Sequence, residues 1–379
     1  MSSSHAPVVD VSGLRSLLEV LEGIADPRDP RGVRHRLVSV LAVAVLTVLG
    51  GAANFREIGD QAADLPQPVL ALTGARFDRR TGRYTPASGP TVRRLICAID
   101  AEAADRLLCA WIAQHATSGM LGALAIDGKV VRGAQVTLFA AVTHGRAVVI
   151  AQLQVPAGTT ETTQVRALVD PLPLTGRVVT ADAAHTSKAT AAYILGRDAD
   201  YLLPVKGNTP TLQAQVAAAL TGINTLTTPA DHIAEEHVRG QIYRRSLWLA
   251  DATGVAFPGA AQAYLIRRDV FDLNGIRRRK QIIHGITSLH PADRTPAALS
   301  GYARGHWTIE NKVHYVRDVT WSEDTNQTHT ATGPRMMAAL RNLALSVLNL
   351  HGITKIRATL QHLERRPGQA IALLNLPTT

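Results

Sequence analysis

Apolar positions follow two different rhythms along this chain, and the change comes near residue 120. Before it the spacing is helical. Leu14, Leu17, Leu18, Leu21 and Ile24 fall on one face of a helix predicted over 11–24. Residues 37–53 (LVSVLAVAVLTVLGGAA) are almost wholly apolar and 55–63 form a short amphipathic stretch. Residues 73–90, rich in Gly, Pro, Arg and Ser, predict an exposed loop, and helix resumes over 91–114. The expectation is an α-helical N-terminal region over 1–115.

Beyond it, apolar runs shorten and alternate. Strands are expected at 121–131, 177–183 and 200–205, with a hairpin over 136–155 turning at His144-Gly145-Arg146. Helices are expected at 161–169, 188–195 (opened by Thr186 and Ser187) and 209–220. That order predicts a mixed sheet flanked by helices, an α/β domain over 116–224. Residues 225–300 then turn β-rich and basic, with strands at 241–249, 263–270 and 281–289. Asn274-Gly275 is a hairpin signal, followed by Arg277-Arg278-Arg279-Lys280. From 297 to 348 the pattern is helical, so 301–379 reads as a C-terminal helical part.

Composition narrows the partners. Lys and Arg outnumber Asp and Glu by 40 to 30, a formal charge of +10 that favours a polyanion such as nucleic acid. Only Cys97 and Cys109 are present, in apolar stretches, which excludes a thiolate zinc site and fits two buried free thiols. The opening residues form no signal peptide. The run 37–53 is shorter than the roughly 20 apolar residues a span needs, so it predicts a buried helix, no membrane partner and a cytoplasmic protein.

Three acids carry candidate chemistry. Asp127 ends one apolar strand, Asp182 ends another, and Glu310 lies on a late helix. Each alone could be a cap or a strand-end ion pair. Together, two strand-borne aspartates and a helical glutamate can converge on two divalent cations. Such hard oxygen donors suit Mg²⁺ or Mn²⁺ and phosphoryl transfer. A Walker-type loop is absent from the sequence, and a glycosidase pair remains formally open.

Several stretches, taken together, resemble the H-repeat-associated branch of the DDE transposases of bacterial insertion sequences. They are AIDGKVVRGA at 125–134, VVTADAAHTSKATAAYI at 178–194, DADYLLPVKGNTPTL at 198–212 and RGHWTIENKVHYVRDVTWSEDT at 304–325, with 26–60 ahead of them. The resemblance implies an RNase H-like catalytic core interrupted by a β-rich insertion. It implies Asp127, Asp182 and Glu310 as the acidic triad, with Asp127 shared by two Mg²⁺ ions (Mn²⁺ substituting). It further implies double-stranded DNA as substrate and a homodimer on that DNA.

Phosphate contacts are expected from Lys129, Lys206, Asn208, Arg304, His306, His314 and Arg317. His314 and Arg317 follow Glu310 at helical spacing. A solvated helix face is the alternative for Arg317. A wider Tyr-x-x-Arg-x-x-x-Glu-x-x-x-x-x-x-Lys signature is met only in part, with Ala303, His306 and Arg317 at its Tyr, Arg and Lys positions. Asp318, Glu323 and Asp324 read as a polar loop. Trp248 and Trp307 could stack on a base but fit helix or core packing better. The rival functions are an RNase H-like nuclease that does not transpose and a catalytically inactive, domesticated DNA-binding protein.

Overall fold

The computed structural model describes residues 10–116, 122–325 and 330–377. In chain order its helices and strands begin with α1 (Ser12–Glu22), α2 (Leu37–Leu49), α3 (Phe55–Asp64), α4 (Gln67–Leu72), β1 (Arg76–Asp78), β2 (Arg83–Thr85), α5 (Gly89–Ile96) and α6 (Ala101–Gln114). There follow β3 (Ala123–Val131), β4 (Val136–Thr143), β5 (Val149–Gln154), α7 (Glu161–Val169), β6 (Val178–Thr180), α8 (Lys188–Leu195), β7 (Asp200–Val205) and α9 (Pro210–Ala219). Then come β8 (His232–Val238), β9 (Gln241–Asp251), β10 (Gln262–Asp272), β11 (Arg277–Thr287), α10 (Pro296–Gly305), α11 (Tyr315–Trp321), α12 (Gly333–Leu350), α13 (Ile356–Arg365) and α14 (Pro367–Leu373). The chain is therefore mixed α/β, with a large mixed sheet and N-terminal helices.

The chain divides into two compact units: residues 1–120, 128–157 and 310–379 in the first, and 121–127 with 158–309 in the second. In the first, α2 is the hub. Its Leu, Val and Ala side chains are buried on nearly every face, and α1, α3, α12, α13 and α14 pack on it. Such an all-round apolar helix belongs in a core. Among the described residues no helix is long and apolar enough to cross a membrane. Val131 and Leu138, from β3 and β4, pack on Ala338 of α12.

The second unit is built on strands in the order β3-β6-β7-β11-β10-β9-β8. β3, β6 and β7 run parallel, while β7 pairs antiparallel with β11 and the rest of the order is antiparallel. The basic β-rich segment thus continues the sheet edge to edge. Its buried side includes Ala123, Val178, Leu202, Leu247 and Tyr264, packed with Leu299 of α10. Gly285 of β11 lies opposite Tyr264, and a Cβ there would sit 2.0 Å from the tyrosine ring. The absent side chain is what lets the ring lie flat on the strand.

Several details depart from the sequence pattern. Residues 73–90 hold the small β1–β2 hairpin, pinned by Gln67, which bonds the Tyr84 backbone in both directions. The helix expected over 91–114 is two helices, because the Asp100 carboxylate caps a new start at Glu102 and Ala103. β8 was not expected at all; it is a polar edge strand, HIAEEHV, facing solvent along much of its length. The helical run 297–348 is broken at 310–314 and again at Ser322, which takes the left-handed conformation.

Candidate functional site

Two of the three acids lie in the second unit. β3 is buried from Ala123 to Ile126, and Asp127 is its first half-exposed residue. The parallel pairing with β6 sets Ala123 against Val178, Leu124 against Val179 and Ala125 against Thr180. Two residues further on, at the same offset, come Asp127 and Asp182. Both therefore lie just past the carboxyl end of the parallel ladder, where α/β sheets bind ligands. However, β3 does not end at Asp127 as the sequence suggests: it runs on to Val131, and Asp182 lies in the turn after β6. Asp182 accepts the Ala184 N–H at 2.9 Å and caps the short turn Ala183–His185. The buried His185 imidazole lies 3.8 Å away and 3.6 Å from Glu161. This arrangement fixes the Asp182 backbone while leaving the carboxylate about half exposed.

The loop after β7 reaches the same end of the sheet. Asn208 donates to the Ala183 carbonyl at 2.7 Å, so it ties two loops together. Lys206 is exposed beside it. His306, after α10, places Nδ1 3.3 Å from the Thr180 hydroxyl. Arg304 forms a two-point ion pair with Glu236 of β8. Trp248 is in the core with its indole N–H on the Thr228 carbonyl, whereas Trp307 is exposed rather than packed in the core.

Glu310 and His314 belong to the first unit. Glu310 opens a five-residue π-turn, 310–314, that leads directly into α11. Such wide turns recur at functional positions. Glu310 is half exposed, and His314 Nδ1 lies 3.9 Å from its carboxylate. Burial pushes the His314 pKa down, against the pull of Glu310, and favours the neutral imidazole.

Two cations expected at phosphates are engaged within the same unit. Lys129 Nζ touches both Asp318 oxygens at 2.7 Å and Asp324 at 3.3 Å. Arg317 is 1% exposed and clasps Glu323 at 2.7 Å, with Asn342 at 3.0 Å. The solvated-face alternative for Arg317 is thereby overturned. Glu323 is equally buried and also receives Arg341 at 2.8 Å, so it is no loop acid. Burial alone would raise its pKa, but the two guanidinium groups hold it down at about 2. The cluster runs on from Asn342 through Gln152 to Asp105 and Arg335.

Asp127 and Asp182 in the second unit, and Glu310 in the first, each offer carboxylate oxygens, the donor type that hard divalent cations take. The sequence reading missed His185, Glu161, Glu236 and Arg341. Only the histidine carried a signal, as a titratable group three residues beyond Asp182.

Comparisons with known proteins bear on what this arrangement does. The family model described as the transposase DDE domain matches residues 121–347. A model described as associated with that domain matches 18–112. "Putative transposase YncI" of Escherichia coli O157:H7 is 24% identical over 357 residues, spanning 88% of this chain and 87% of that protein. "H repeat-associated putative transposase YhhI" of Escherichia coli K12 is 23% identical over 357 residues, 88% of this chain and 90% of that one. A piggyBac transposase synaptic complex with hairpin DNA, solved by cryo-electron microscopy, aligns with the full chain and 84% of its own at 12% identity and a TM-score of 0.45, too distant to bear on function.

Proposed function

Because the chain belongs to the transposase DDE domain family, whose members imply divalent-metal use, we propose that it cuts the ends of an insertion sequence and joins them to target DNA. The single observation that carries this reading is that Asp127 and Asp182 each follow the β3–β6 parallel ladder by two residues, beyond its last pair Ala125 and Thr180. Glu310 is proposed as the third acid on an RNase H-like core. It is supported by its place at the opening of the five-residue π-turn 310–314 in the first unit, half exposed beside His314.

Mg²⁺, or Mn²⁺ in its place, would be held by Asp127, Asp182 and Glu310 and would supply Lewis acidity toward a phosphodiester. The protein's own groups have separable tasks. Asp182 is oriented by its cap on the Ala183–His185 turn, and Asn208 fastens the loop that carries Lys206. Lys206 is the exposed cation free to meet a phosphate. His314, kept neutral by burial, steadies the Glu310 carboxylate. A protein acting on DNA ends would work in the cytoplasm with the nucleoid, and as a homodimer when it brings two ends together.

The test uses a labelled duplex carrying the element's end, at low salt, with Mg²⁺ or EDTA. Nicking at the end that needs metal and disappears in Asp182→Asn is the expected result. Full activity in that variant would remove the site assignment.

A further inference from the structure

The β10–β11 hairpin is a long pairing in the second unit, and its outer end is chemically unlike the rest of it. The inner half is buried against the sheet, with Tyr264 on Gly285. The outer half projects Arg277, Arg278, Arg279 and Lys280, all exposed. Over residues 266–281 six cations face two carboxylates. Those two carboxylates are occupied: Asp269 by Arg267 at 2.7 Å, and Asp272 by Arg278 at 2.7 Å. Among the described residues, no ion pair is found for Arg279 or Lys280.

The tip is built, not loose. Asp272 caps the turn, accepting the Asn274 and Ile276 N–H groups, and its own N–H meets the Ile276 carbonyl. Gly275 supplies the positive φ of 77° that the turn requires. This rigid turn holds Leu273 68% exposed and Ile276 54% exposed. Two large aliphatic side chains at a preformed tip, with cations just behind them, form an apolar point on a basic ribbon. Solvation alone accounts for the cations but not for the aliphatic pair.

We propose that this hairpin is a DNA-binding arm: Arg279 and Lys280 ride the phosphate backbone of a duplex, and Leu273 and Ile276 enter a groove and wedge a base step. Duplex DNA is favoured because β-ribbons fit its grooves and aliphatic wedges kink base steps. Charge complementarity commits the surface to a polyanion. This rests on the proposed DNA function but not on the metal site, since the two lie on different elements.

The experiment measures binding of a fluorescent duplex to the full-length protein in EDTA across a salt series, with end-to-end energy transfer on the same duplex to report bending. Arg279→Ala with Lys280→Ala should weaken binding and flatten the plot of log affinity against log salt by about 1.8, or about 0.9 per phosphate. Leu273→Ser with Ile276→Ser should keep that slope, lose about tenfold in affinity and abolish the bend. Unchanged affinity and slope in the cation pair would overturn the arm. Equal bending in the tip pair would overturn the wedge. The same losses on single-stranded RNA would assign the surface to RNA and overturn duplex recognition. Intact metal-dependent nicking with arm variants that bind normally would sink the arm alone. Firm binding through the arm with no nicking under any metal would sink the catalytic reading alone.

Discussion

Two groups of arginines use the same guanidinium to opposite ends. Arg317 and Arg341 are buried on Glu323, with Asn342 and the Ala53 carbonyl completing their bonds. Arg277, Arg278 and Arg279 stand in solvent on a hairpin. A buried charge is tolerable only when paired and hydrogen-bonded, so the first group is fixed in number and position. An exposed charge gains little from a partner and remains available to an outside anion. What separates them is whether a carboxylate arrives on the inside, and that is decided by the chain's path, not by the arginine.

The largest effect should come from breaking the buried side of this contrast. Glu323→Ala strands two guanidinium groups in the core, and a loss of about 3–5 kcal/mol is expected in denaturant unfolding. If the variant melts with the wild type, Glu323 is not what holds the arginines. A pH titration sharpens the same point. Glu323 has a folded pKa of about 2 against an ordinary 4.5. Its contribution is fully present above pH 4.5 and drains as pH falls toward 2, by about 3 kcal/mol in all. Glu323→Gln should remove that slope from an acid-unfolding curve. An unchanged slope would assign it to other carboxylates.

A smaller effect contrasts the two ends of one hairpin. Gly285→Ala at the inner end drives a methyl into the Tyr264 ring and should cost about 1–3 kcal/mol. At the outer end, Arg279→Ala with Lys280→Ala should stay within about 0.5 kcal/mol of the wild type while DNA binding falls. A melting loss at the outer end comparable to that at Gly285 would mean the exposed cations are structural.

The strands that lead to the two aspartates were legible from their apolar runs, but their ends were not: β3 runs on past Asp127 to Val131, and β6 ends at Thr180, before Asp182. The buried helix α2 was legible because nothing polar interrupts it for three turns beyond Ser39 and Thr47. β8 was not legible, since an edge strand with Glu235 and Glu236 outward carries little apolar alternation. The β1–β2 hairpin hides inside a Gly- and Arg-rich stretch whose composition is that of a loop. Arg317 was misjudged for a geometric reason. Seven residues make two turns of an α-helix, so Glu310 and Arg317 looked coplanar. The π-turn breaks that count, and the left-handed Ser322 then brings Glu323 back to meet the guanidinium. Lys129 was taken for a phosphate contact because Asp318 and Asp324, almost two hundred residues away, left no local trace.

The π-turn also makes the protein's length, and not only its chemistry, a determinant of the Glu310 position. A wide turn holds one residue more than regular helix would. The turn absorbs that residue, whereas deleting one from the regular helix that follows, 315–321, would rotate Glu310 by about 100° about the axis relative to the residues beyond. Every acid would still be present and every motif nearly intact. An insertion or deletion of one codon here, invisible to a search for the acidic residues, is therefore the quietest way for a copy of this gene to fall silent.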